Sequence, residues 1–252
     1  MPKYIILLLN LFIWIHWGMF DLIVDNLKKV EANIEESKAK RENIISDDVL
    51  LVAVTKNHDV NAMRQAIDAG ALTIGENRVQ EAMQKYETLD RKVTWHLIGH
   101  LQTNKVKHAV QIFDMIESVD SEKLARAINK EAAKINKVQK ILVEVNLVKE
   151  ASKTGAYLED VPAILAQIDT MANLKLMGLM FIAPKVDNLE DVRPMFNKMY
   201  HLFRDLQKQK FTNPNTEIKY LSMGMTHDYQ IAVEEGANIV RVGTAIFGPR
   251  QY

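Results

Sequence analysis

The sequence predicts an α/β chain folded as a single (β/α)8 TIM barrel with one extra helix on its N-terminal side. Three observations predict it. From Val49 onward, short apolar runs alternate strictly with helical stretches, which means parallel strands joined by crossover helices. Eight such units in about 200 residues match the strand number of a barrel and lie near the lower end of barrel length. No linker, low-complexity segment or shift in composition divides them. A doubly wound open sheet is the alternative that the same alternation allows.

Taken in order, Tyr4 to Trp17 is an apolar run broken by Asn10 and His16. It is shorter than the roughly 20 residues that a membrane-spanning helix needs. Residues 1–18 are therefore expected to be an extension outside the fold, such as a start codon placed too far upstream would add, with a membrane anchor as the alternative. The barrel unit is expected over 19–252. Asp21 is a candidate N-cap for a helix carrying Ile23, Leu27, Val30 and Ile34 on one face. Val49–Thr55 is an uncharged aliphatic run and reads as a strand buried on both faces. Strands are then expected at Leu72–Gly75, Val93–Ile98, Met115–Val119, Lys140–Asn146, Leu174–Ile182, Ile218–Ser222 and Ile239–Ala245. The intervening helices are expected at Val60–Ala69, Arg78–Leu89, Thr103–Val110, Ser121–Ile135, Leu158–Met171, Leu189–Gln209 and Tyr229–Glu235. Gly70 and Gly236 close two of these helices, and Ser121 caps another.

Composition narrows the chemistry. The 252 residues are 48% hydrophobic and 25% charged, ordinary for a globular chain. Lysine plus arginine number 32 and aspartate plus glutamate 32, so no global charge argues for nucleic acid or an anionic membrane as partner. With no cysteine there is no disulfide, thiolate metal site or cysteine nucleophile, which fits a reducing compartment. His96 and His100 have no carboxylate to complete a metal site. Ser222, His227 and Asp228 lie too close along the chain to form a triad, and no nucleotide-binding glycine loop is present.

In a barrel the active face is built at the carboxyl ends of the strands. Lys56 ends the first strand; it either marks the chain's exit into water or offers a desolvated amine able to attack a carbonyl. Arg241 lies within an apolar strand, on one face with Gly243, while Val240 and Val242 share the other. It needs a partner: a buried carboxylate such as Glu144, or a ligand atom in the barrel mouth. The turns Ser222-Met223-Gly224-Met225-Thr226 and Gly243-Thr244 end the last two strands, where such barrels often hold phosphate. A strand-one lysine, a phosphate cradle and an inward arginine together point to pyridoxal 5'-phosphate, held as an imine on Lys56.

Seven motifs extend this reading: Val52-Ala53-Val54-Thr55-Lys56, Gly75 to Glu81, Trp95 to Lys105, Lys153-Thr154-Gly155, Gly178-Leu179-Met180, Leu221 to Met225, and Arg241 to Gly248. In this order they resemble the pyridoxal phosphate homeostasis protein family, which is similar to the barrel domain of alanine racemase. The resemblance runs from about Met19 to the C-terminus. It implies a cytoplasmic protein in which Lys56 bears the internal aldimine. It also implies that Ser222, Gly243 and Thr244 hold the phosphate and that Arg241 faces the pyridine nitrogen. Asn77 and His96 would line the pocket, with Met223, Gly224 and Met225 as its wall. Thr226 stands where many relatives have serine, and the hydroxyl is kept. The apolar segment before Met19 is foreign to the family pattern.

An arginine opposite the ring nitrogen keeps that nitrogen unprotonated and weakens the ring as an electron sink. A racemase also needs a second base, which the racemase family takes from a second domain that a chain ending at Tyr252 has no room for. The expectation is a monomeric protein that carries or buffers pyridoxal phosphate, with pyridoxal-phosphate-dependent apo-enzymes as its partners. The rivals are an amino-acid racemase or related enzyme using the same aldimine, and a phosphate-ligand barrel enzyme without the cofactor.

Overall fold

The computed structural model describes residues 3–148 and 154–249, with side chains from residue 22 onward. Lys153 and Tyr252 fall outside the described residues, as do the side chains of the Tyr4–Trp17 run.

Eight parallel strands close on themselves: β1 Leu50–Val54, β2 Thr73–Glu76, β3 Thr94–Leu97, β4 Met115–Val119, β5 Gln139–Asn146, β7 Leu174–Phe181, β8 Tyr220–Met225 and β9 Ile239–Val242. Pairing of β1 with β9 and of β4 with β5 completes the ring, so the barrel holds and the open sheet does not. One short strand was not foreseen: β6, Ala156–Tyr157, pairs only with the end of β5. It lies just before the helix expected from Leu158, and that helix starts later, at Val161, with Pro162 in its first turn where the missing N–H costs nothing.

Strand alternation sorts the side chains into two cores. Val52, Val54, Met115, Leu142, Met177, Met180 and Ile239 fill the barrel interior. Ala53, Ile74, Leu97, Ile116, Val143, Leu179, Val240 and Val242 face the helices outside it. Gly178 belongs to neither: at φ +141, any Cβ there would run into the Tyr220 carbonyl oxygen.

The N-terminal helix runs Lys3–Lys40, so it passes through Asp21 instead of starting there. No proline lies between Lys3 and Asp21, and Gly18 costs only about 1 kcal/mol in a helix interior, so nothing halts the backbone ladder. Ile23, Leu27, Val30 and Ile34 are all buried, as their spacing requires. They face the helices Val60–Asp68, Tyr229–Glu234 and Thr244–Phe247. Asn26 donates to the Ile246 carbonyl at 3.0 Å and Asn33 to the Tyr229 hydroxyl at 2.9 Å. Among the described residues β9 is followed by the four-residue helix Thr244–Phe247, and the N-terminal helix packs against it and covers that flank of the barrel.

Leu27→Ala should therefore lower stability by about 2–5 kcal/mol, the range for emptying a buried leucine site. Glu31→Ala on the exposed face should stay within about 0.5 kcal/mol. Urea unfolding of both variants checks this; equal effects would detach the helix from the core.

Candidate functional site

A cavity of about 360 Å³ opens at the carboxyl ends of the strands. Val54, Lys56, His58, Asn77, Ile98, Ile182, Lys185, Met225, Thr226, His227, Arg241, Gly243 and Thr244 line it. Lysines, an arginine and histidines are present, and no carboxylate is among the lining residues. A second cavity, about 450 Å³, is lined by Val93, Asp114 and Lys137, which precede strands and so lie at the opposite end.

Lys56 is half-buried two residues beyond β1, and both of its neighbours are tied down. The Thr55 amide donates to the Gly75 carbonyl at 3.0 Å and its hydroxyl to Glu76 Oε1 at 2.6 Å. Lys85 Nζ donates to the Thr55 carbonyl at 2.8 Å and lies 2.7 Å from carboxylate oxygens of both Glu76 and Glu81. Glu81 in turn accepts from the Asn57 amide at 2.6 Å, where the chain turns at φ +62. Burial raises the Glu76 carboxyl above its usual range, and the Lys85 charge and the hydrogen bonds of Lys85 and Thr55 pull against that rise.

The floor is a buried polar chain. Arg241 donates from Nη1 to Ser222 Oγ at 2.7 Å and from Nη2 to the Phe181 carbonyl at 2.9 Å. Ser222 Oγ donates to Glu117 Oε2 at 2.5 Å, and Glu117 Oε1 lies 2.6 Å from His96 Nδ1. Burial lowers the Arg241 pKa while the charges of Glu117, Glu144 and Asp228 oppose the shift; guanidinium nonetheless stays charged. Glu144 itself accepts from the Thr154 hydroxyl at 2.6 Å, and among the described residues no carboxylate lies within 4.0 Å of Arg241. The direct ion pair with Glu144 considered from the sequence is thus replaced by a serine and a carbonyl.

Strands β8 and β9 shape the wall. Ser222 pairs with Ile239 and Met225 with Arg241, so three steps on β8 span two on β9, which is a β-bulge. Gly224 lies in it at φ +92, where a Cβ would come within 2.5 Å of the Ala232 methyl. Beyond it the Met225 amide donates to Asp228 Oδ1 at 2.6 Å, and the Gly243 amide to Thr226 Oγ1 at 3.3 Å. Burial pushes the Asp228 carboxyl above its usual range.

Of the residues singled out from the sequence, Lys56, Asn77, Met225, Thr226, Arg241, Gly243 and Thr244 line one cavity. Ser222 and His96 are buried, both bonded to Glu117, and are not among the residues lining the cavity. Met223 points outward into the layer between barrel and helices. Gly224 contributes a backbone bend and no lining atom. Gly243 and Thr244 open a short helix instead of continuing the last strand. Sequence reasoning missed His58, Lys185, His227 and Glu117. The last carried the same signal as Arg241, a charge within an otherwise buried strand.

Residues 26–251 match the model of the alanine racemase N-terminal domain. The pyridoxal phosphate homeostasis protein of Aquifex aeolicus is 43% identical over 203 residues, covering 80% of this chain and 87% of its own. The protein of the same name from Haemophilus influenzae is 36% identical, covering 91% of this chain and 97% of its own. Among solved structures, PipY of Synechococcus elongatus with PLP bound superposes at TM-score 0.77 with 36% identity, covering 90% of this chain and all of that one. With its seven motifs in order on a closed barrel, the chain belongs to the pyridoxal phosphate homeostasis protein family.

Proposed function

We propose that this chain binds pyridoxal 5'-phosphate in the strand-end cavity, attached to Lys56 as an imine, and carries or buffers it. The observation that carries this reading is the lining itself: an amine, a guanidinium, hydroxyls and glycine backbone converge with no carboxylate among them. That set suits an anionic aldehyde. When bound, the cofactor supplies an aldehyde that condenses reversibly with a primary amine and a ring able to draw electrons from an attached group.

The chain's own residues fit that ligand. Thr226, Gly243 and Thr244 are assigned to the phosphate. Ser222, the expected ligand, has its hydroxyl engaged by Glu117 and Arg241. Arg241 faces the ring nitrogen as a permanent donor with no proton to give it. Asn77 Oδ1 is a buried acceptor without a partner at the cavity wall, available to a ligand donor. The names of the relatives and the PLP-bound PipY structure support the same reading. It places the chain in the cytoplasm as a monomer that hands the cofactor to pyridoxal-phosphate-dependent apo-enzymes, with residues 1–18 outside the barrel unit. Among the described residues no helix is long and apolar enough to cross a membrane.

Adding pyridoxal phosphate should give an absorbance band near the visible edge that borohydride makes permanent and that Lys56→Ala lacks; no band in the unaltered protein would defeat the reading. Thr226→Val should weaken cofactor affinity about 10-fold or more, since a hydrogen bond to a charged group contributes about 1.5–3 kcal/mol. Equilibrium titration measures it. Purified protein at stoichiometric cofactor should not racemise alanine; measurable turnover of either enantiomer would favour the enzyme instead.

A further inference from the structure

We infer that Glu117 is a positioning residue for the bound cofactor: through the Ser222 hydroxyl it fixes the orientation of Arg241 and balances its charge. The inference rests on the cofactor reading above and concerns Glu117 and Ser222, which are not among the residues lining the cavity.

The argument is one of donors and acceptors. Arginine has no acceptor. Ser222 Oγ, receiving the Arg241 N–H at 2.7 Å, therefore sends its own proton to Glu117 Oε2 at 2.5 Å. The other oxygen of Glu117 meets His96 Nδ1 at 2.6 Å, and a carboxylate there accepts, so the ring proton lies on Nδ1. Both carboxylate oxygens are thus filled, and His96, Glu117, Ser222 and Arg241 are all at most 3% exposed. Burial alone would raise the Glu117 carboxyl; the hydrogen bond and charge of His96, the charge of Arg241 and the Ser222 hydroxyl outweigh it and hold it low. An ionised Glu117 gives the polar chain one direction. Arg241 is pinned between a serine and the Phe181 carbonyl, and a compensating charge lies one hydroxyl away. Without that charge the floor would present an unbalanced cation to whatever binds above it.

Glu117→Gln keeps the shape and removes the charge. The readout is the pH midpoint at which the visible band of the cofactor-loaded protein gives way to its unprotonated form. The charged and titratable groups around that cavity are Lys56, His58, Lys185, His227 and Arg241, with Glu144 and Asp228 acting on Arg241 from β5 and the loop after β8. Losing one buried negative charge beneath the cavity disfavours the protonated, cationic form above it and should move the midpoint down. Glu117→Asp should restore most of it. A purely structural role would lower the unfolding temperature and leave the midpoint alone, and that result overturns the inference. Ser222→Ala gives a second route if Glu117→Gln does not fold: it should weaken cofactor binding about 10-fold, and unchanged affinity overturns the inference. An unaltered protein that forms no borohydride-stable adduct overturns the cofactor reading itself, and the inference falls with it.

Discussion

A guanidinium can stay inside a barrel only if hydrogen bonds replace its water and a counter-charge lies within reach. Arg241 meets both conditions with groups from three other strands: Phe181 of β7, Ser222 of β8 and Glu117 of β4. This constraint ties the floor of the cavity to the closure of the ring. β4 and β8 are not neighbours in the sheet, and their side chains meet only because the strands curve into a closed barrel. The bulge in β8 belongs to the same arrangement, since the extra residue lets Ser222 reach Arg241 while Met225 pairs beside it. Above this floor the cavity is lined by lysines, histidines, hydroxyls, an amide and apolar side chains, with no carboxylate among them.

The lysine is fixed by different means. Its backbone neighbours are bonded to Glu76, Lys85 and Glu81, three charged side chains that share protons over 2.6–2.8 Å. A turn held on both sides fixes the point at which the Lys56 side chain leaves the backbone at the cavity.

Much of this was legible in the sequence. Val49–Thr55 announced a doubly buried strand because seven uncharged residues in a row fit no half-exposed one. Arg241 announced an inward charge because alternation placed it opposite Val240 and Val242. Ser222 was misplaced for a definite reason: β8 was expected to end there, but it continues to Met225. Three further residues put Ser222 one layer down in the interior, and the mouth position passes to Thr226. The extension depends on the φ +92 of Gly224 and on the bulge, both set by contacts with Ala232 and β9 that no local pattern reveals. The helix over Lys3–Lys40 defeated the expected start at Asp21 because a good N-cap residue does not stop a helix that has no breaker before it. Glu117 could have been found by the argument that found Arg241, but one of its partners, Ser222, lies on a strand that is not its neighbour in the sheet.

The most direct test of the account is to locate the attachment. Cofactor-loaded protein would be reduced with borohydride, digested, and its modified lysine identified by mass spectrometry. The account predicts the adduct on Lys56, at the end of β1. An adduct confined to Lys185, the other lysine lining the cavity, or to a lysine elsewhere on the surface, would contradict it.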